Sequence, residues 1–149
     1  MANYKSIGRM ISSINRYQQI YLNSTLKDLG LHGSGQVRIV MVLSREKDGI
    51  SQDDLSSILM IDKASVSRMV RPLVQNGIVN RKQNPLDRRA YILTLSESAA
   101  EKLPFIKKTL KQWTGILSKG MSGKELEMLY TLLEKAELNA RNFPEGDHG

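Results

Sequence analysis

The chain has no cysteine among its 149 residues. That excludes disulfides, thiolate metal sites, nucleophilic cysteine chemistry and thiol redox switches, and it sits naturally with a reducing cytoplasm. Long apolar runs are missing too. No stretch approaches the ~18 consecutive apolar residues of a membrane-spanning helix, and Met1-Ala2-Asn3-Tyr4-Lys5 lacks the compact apolar core of a signal peptide. A soluble, cytoplasmic protein with no membrane partner is expected. Catalytic groupings are also lacking: His32 and His148 lie far apart, no glycine-rich phosphate loop occurs, and neither Ser-His-Asp nor metal-ligand spacing is present. The expectation is no enzyme, no metal and no cofactor.

What is there is basic and helical. A hydrophobic content of 40% over 149 residues suffices to bury one domain's core without staples. The 22 Lys and Arg against 15 Asp and Glu give +7, which favours a polyanionic partner.

Apolar residues at Ile7, Met10, Ile11, Ile14, Tyr17, Tyr21, Leu22, Leu26 and Leu29 recur in steps of three and four, predicting one long helix over Tyr4 to Leu29. Gly30 to Gly35 is glycine-dense and reads as a turn. A second helix carried by Val37 to Leu43 should end near Lys47-Asp48-Gly49. Ser51 caps a third helix from Gln52 to about Leu59, and Asp62 caps a fourth from Lys63 to Asn76, with Gly77 as its left-handed stop. Val66, Met69, Val70, Leu73 and Val74 face inward on that helix; Ala64, Ser65, Arg68 and Arg71 face out.

After Gly77 the period becomes extended. Ile78 to Gln83 and Tyr91 to Leu95 predict a hairpin with a charged tip at Asn84 to Arg89. Ser96 or Ser98 caps a fifth helix containing Leu103, Ile106, Leu110, Trp113 and Leu117, with Pro104 set to kink or delay its start. Ser122-Gly123-Lys124-Glu125 is a capping box opening a sixth helix. Asn142 to Gly149 reads as a frayed tail. The fold class is thus mainly α with a small β-hairpin wing, six helices in all, a winged helix-turn-helix in outline. The first helix and the last two carry apolar faces that would pack together and onto a second copy.

Function concentrates between Lys63 and Tyr91, where Lys63, Arg68, Arg71, Arg81, Lys82, Arg88 and Arg89 stand against Asp87 alone, a local charge of +6. Such a patch suits a phosphate backbone. Ser65, Ser67 and Arg68 offer short hydroxyls and one forked donor to base edges in the major groove. An arginine on the thin hairpin tip suits the minor groove. Asp87 would repel DNA, so it is read as orienting an arginine through a salt bridge.

The run Ala64-Ser65-Val66-Ser67-Arg68-Met69-Val70-Arg71-Pro72-Leu73-Val74-Gln75-Asn76-Gly77-Ile78-Val79, then Asp87-Arg88-Arg89 and the strand Tyr91 to Leu95, resembles the MarR (multiple antibiotic resistance regulator) family of transcription factors. The resemblance covers essentially the whole chain. It implies a MarR-like homodimer on a pseudo-palindromic double-stranded DNA operator, with half-sites roughly 10 bp apart. Residues 1–30 and 97–141 would form the helical dimerisation region, 31–96 the DNA-binding lobe and 142–149 a flexible tail. By the family pattern Arg89 enters the minor groove with Asp87 as its positioning partner, Ser65, Ser67 and Arg68 face the major groove, and Lys82 and Arg88 meet the backbone; Arg71 belongs to the same basic face. Arg71-Pro72 departs from the pattern, which usually has an acidic residue followed by a non-proline. A kink at Pro72 would re-aim Arg68.

Many relatives are released by small anionic or phenolic effectors. Arg16 is the candidate anchor, with Trp113 and His32 as walls; equally, Arg16 can be a surface charge, Trp113 a core or interface residue and His32 a turn residue. The reading is a transcriptional regulator, a repressor released by such an effector. The alternative is a non-specific architectural DNA-binding protein of the same fold.

Overall fold

The computed structural model describes residues 6–143. The described chain forms two compact units that divide between Trp113 and Thr114. The expected start of the first helix at Tyr4, and the tail from residue 144 with its His148, lie outside the described residues.

In the first unit, α1 (Ile7–Leu26) begins where the Ser6 hydroxyl accepts the Arg9 amide, and a single 3-10 turn (Lys27–Leu29) carries the chain to Gly30. Its apolar stripe is only partly used. Leu22 and Leu26 are buried, while Ile7, Met10, Ile11, Ile14, Tyr17 and Ile20 are exposed.

The glycine-dense segment is not all turn. Helix α2 (Gly33–Leu43) already contains Gly33, Ser34 and Gly35, because side chains from α1 and α2 satisfy its first amides. Asn23 Oδ1 accepts from Gly33 at 2.7 Å, Gln19 Oε1 from Ser34 at 2.9 Å, and Gln36 Oε1 from His32 at 2.7 Å. Gly33 has φ +80, and a Cβ there would stand 2.6 Å from Gln19 Oε1. A side chain at that position would therefore evict its own cap. The helix also stops earlier than expected, at Leu43, since the chain must turn through Ser44 to Gly49 to bring β1 (Ile50–Ser51) onto the sheet.

Helix α3 (Gln52–Leu59) is capped by Ser51 and α4 (Lys63–Gln75) by Asp62, as expected. Past α4, Gly77 has φ +70, its amide bonds the Val74 carbonyl at 3.1 Å, and the Ile78 amide bonds Leu73 at 2.9 Å. That pair of bonds satisfies the terminal carbonyls and turns the chain sharply toward the wing. Pro72 lies inside α4, one turn from its end, and the helix runs through it unbroken. What it removes is the amide that would bond the Arg68 carbonyl.

The wing is β2 (Val79–Asn84) and β3 (Asp87–Leu95), antiparallel, and β1 pairs on the other edge of β3 in the order β1-β3-β2. The core joins Leu26, Ile39, Leu55, Val66, Leu73 and Leu93, one or more from each of α1 to α4 and the sheet. Val66, Val70 and Leu73 are buried on α4, with Met69 and Val74 half-buried behind them.

The expected fifth helix is two. Ser96 caps a short α5 (Glu97–Glu101), the chain breaks at Lys102, and α6 (Leu103–Leu117) restarts with Pro104 in its first turn, where the missing amide costs nothing. The described residues therefore hold seven α-helices instead of six. In the second unit, α7 (Gly123–Arg141) opens on the full capping box of Ser122 and Glu125, with bonds of 3.2 and 2.7 Å, and Asn142 follows as its C-cap. Met128, Leu132, Leu133 and Leu138 are exposed along it. Among the described residues no helix is long and apolar enough to cross a membrane.

Candidate nucleic-acid interface

The outward side of α4 begins with its cap. Asp62 accepts the Ser65 amide at 2.8 Å through Oδ1 and the Ser65 hydroxyl at 2.6 Å through Oδ2. The Arg68 guanidinium in turn donates to Ser65 Oγ at 2.9 Å. Residues three apart on a helix lie one above the other, so Asp62, Ser65 and Arg68 form a single file along the first two turns. The Asp62 carboxyl is held below the ordinary carboxylate range, first by the Ser65 hydroxyl, then by the Ser65 amide, with the Arg68 charge adding to both against a desolvation cost. Arg68 and Arg71 are exposed, and Ser67 is half-buried. Lys63 reaches Asp53 at 3.4 Å, a solvated pair that ties the starts of α3 and α4 only loosely.

The wing is built differently. Gln83 stands opposite Tyr91, but Asn84 stands opposite Asp87, so Arg88, Arg89 and Ala90 have no partner on β2 and bulge from the hairpin. Backbone bonds made by side chains hold the bulge. Asn84 Oδ1 accepts from the Leu86 amide at 3.0 Å, Asp87 Oδ1 accepts from the Arg89 amide at 2.9 Å, and the Gln83 side-chain amide donates to the Arg88 carbonyl. The expected salt bridge from Asp87 to an arginine is not the device used. Among the described residues no ion pair joins Asp87 to any arginine, because its carboxylate is turned back onto the main chain. The tip is also shorter than expected, only Pro85 and Leu86, since β3 already begins at Asp87.

Two features of this surface escaped the sequence reading. Arg81 lies over the Tyr91 ring, its guanidinium carbon 3.8 Å from the ring centroid, which holds a cation on the exposed face of the sheet. Arg81 and Arg89 also share a shallow cavity of about 210 Å³ with Ser51, Gln52 and Tyr91. Neither can be read without knowing the strand register. Lys82, Arg88 and Arg89 are exposed around it. The structure thus brings Ser65, Arg68 and Asp62 together on α4, and Asp87, Arg88 and Arg89 together on the wing.

It does not bring Arg16, His32 and Trp113 together. Arg16 is exposed on α1 and His32 is exposed at the start of α2, while Trp113 is buried and stacked on Tyr21 with ring centroids 5.3 Å apart. None of them lines a cavity of about 440 Å³ in the first unit, whose walls include Asn15, Gln18, Arg38, Met41, Arg45 and Leu59. Among the described residues no group of His, Asp and Glu is disposed to hold a metal ion.

A profile of the MarR family matches residues 34–91, which spans the helix-turn-helix and most of the wing. The solved structure of a MarR transcriptional regulator from Methanosarcina mazei Go1 is 35% identical, with a TM-score of 0.84 over 93% of this chain and 98% of that one. The chain belongs to the MarR family. It is a DNA-binding transcriptional regulator with the winged-helix fold of that family. A mutant MarR from E. coli complexed with operator DNA is 25% identical with a TM-score of 0.76, covering 87% of this chain and 92% of that one. The HTH-type transcriptional regulator BilQ of Clostridioides difficile (strain CD3) is 26% identical over 126 residues, 85% of this chain and 84% of that protein.

Proposed function

We propose that this MarR-family protein binds a pseudo-palindromic operator as a homodimer and represses transcription until a small anionic or phenolic effector releases it. The observation that carries the reading is the pairing of two basic elements with fixed geometry: α4 with Arg68 held along its outer face, and the wing with Arg89 on a pinned bulge. Arg68 suits a guanine edge in the major groove, and Arg89 suits the electronegative minor groove beside it. Ser67 lies on the same face of α4; Arg71, Lys82 and Arg88 are positioned for phosphates. Dimerisation is supported by the apolar stripe that α1 leaves exposed from Ile7 to Ile20 and by the apolar side chains exposed on α7. Residues 1–30 and 97–141 would supply that interface, and 31–96 the DNA-binding lobe.

For the effector, the 440 Å³ cavity has the size and mixed lining of a small-molecule site, and Arg38 and Arg45 at its edge supply positive charge. Genomic footprinting, repeated after adding candidate phenolic acids, tests the whole reading. Protected, two-fold symmetric sites that are lost on adding one of the acids are expected. Uniform protection without preferred sites would establish the architectural alternative instead.

A further inference from the structure

We infer that Ser65 is a positioning residue for Arg68 and not itself a reader of DNA, so that base preference on α4 is set by the file Asp62–Ser65–Arg68. This rests on the reading of Arg68 as a base-contacting group. A serine hydroxyl has one hydrogen to donate and two lone pairs to accept with. The hydrogen of Ser65 goes to Asp62 Oδ2 at 2.6 Å, and one lone pair takes the Arg68 guanidinium at 2.9 Å. As a donor Ser65 is spent before DNA arrives. Ser65 as a residue is half-buried, whereas Arg68 beyond it is exposed.

The arrangement gives Arg68 a definite direction. A free arginine on a helix surface samples many rotamers, and each must be given up on binding. Here one Nη2 hydrogen anchors the guanidinium to Ser65, and the remaining donors stay available for a bidentate contact. Asp62 completes the device because its charge polarises the Ser65 hydroxyl, making the oxygen a better acceptor for a cation.

The test uses the full-length protein and duplexes selected by it from a pool with a randomised stretch, together with each single-base variant of the selected duplex. Arg68→Ala should flatten preference at one position per half-site. Ser65→Ala should weaken preference at that same position, roughly three- to ten-fold, and should change nothing further in the Arg68→Ala background. Ser65→Thr should restore it, since threonine keeps the hydroxyl. Melting temperatures should stay close to wild type because the Ser65 amide still caps on Asp62. The inference is overturned if Ser65→Ala alters a different base position, or if its effect multiplies with that of Arg68→Ala, since Ser65 would then touch DNA itself. If Arg68→Ala leaves the profile intact, the base-reading role of Arg68 falls first and the inference with it.

Discussion

The recognition helix and the wing carry the same chemistry, exposed arginine, and hold it by opposite means. On α4 a side-chain file fixes the guanidinium of Arg68 while the helix backbone is regular. On the wing, side chains fix the backbone: Asn84, Asp87 and Gln83 all bond main-chain atoms of the tip, and the side chains of Arg88 and Arg89 stand exposed. A major-groove reader must present one donor pair at one angle, so its side chain is aimed. A minor-groove finger has only to put a cation at a depth and can adjust its side chain on entry.

Substitutions separate the two designs. The largest effect is expected for Arg89→Ala. Two copies in the proposed dimer, at about 1–3 kcal/mol each, predict operator binding weaker by ~30-fold or more with unchanged melting temperature. Unchanged binding in a gel-shift titration would remove the wing from the interface. Next, Arg68→Ala should cost about 1–3 kcal/mol against the preferred base only. A loss shared equally by all sequences would make Arg68 a phosphate contact.

Asp87 tells the two designs apart most sharply. Asp87→Ala removes the acceptor for the Arg89 amide and is expected to weaken binding by roughly 5- to 10-fold, a typical value for one lost hydrogen bond. Asp87→Asn keeps the acceptor while removing a charge that repels DNA, so affinity should equal or exceed wild type. An asparagine variant as weak as the alanine variant would mean that the carboxylate acts on arginine side chains after all.

The smallest expected effect concerns Asp62. Its carboxyl titrates below the ordinary value of 3.8 in the folded chain, so the stabilisation it gives is present above that value and lost as pH falls through the lower, folded one. Acid unfolding followed by circular dichroism should therefore flatten below about pH 4 in Asp62→Asn relative to wild type. Identical acid limbs would show that the cap is no more populated in the folded chain than in the unfolded one.

These contrasts also explain what could be read in advance. The Gly77 stop, the Asp62 and Ser51 caps and the Ser122-Glu125 box are local patterns whose partners lie within a few residues, and all formed as expected. The failures are non-local. Strand β1 is two residues long and exists only through pairing of Ile50 with Leu93 and Ser51 with Ile92. Gly33 to Gly35 read as a turn because their acceptors, Gln19 and Asn23, come from another helix. The bulge at Arg88 to Ala90 depends on a register that periodicity does not reveal, and so does the stack of Arg81 on Tyr91. The cavity walls are drawn from α1, α2, α3 and α6, so no local pattern in the sequence marks it. The Asp62–Ser65–Arg68 file is local by contrast: its spacing of three is visible in the sequence, and the three side chains bond one another along it.

The proposed sequence-specific recognition needs these two elements together. Competition binding at fixed salt, with a selected duplex against random duplex of equal length, tests it most directly. A preference of ~10³-fold or more is predicted; equal affinity for the two would contradict it.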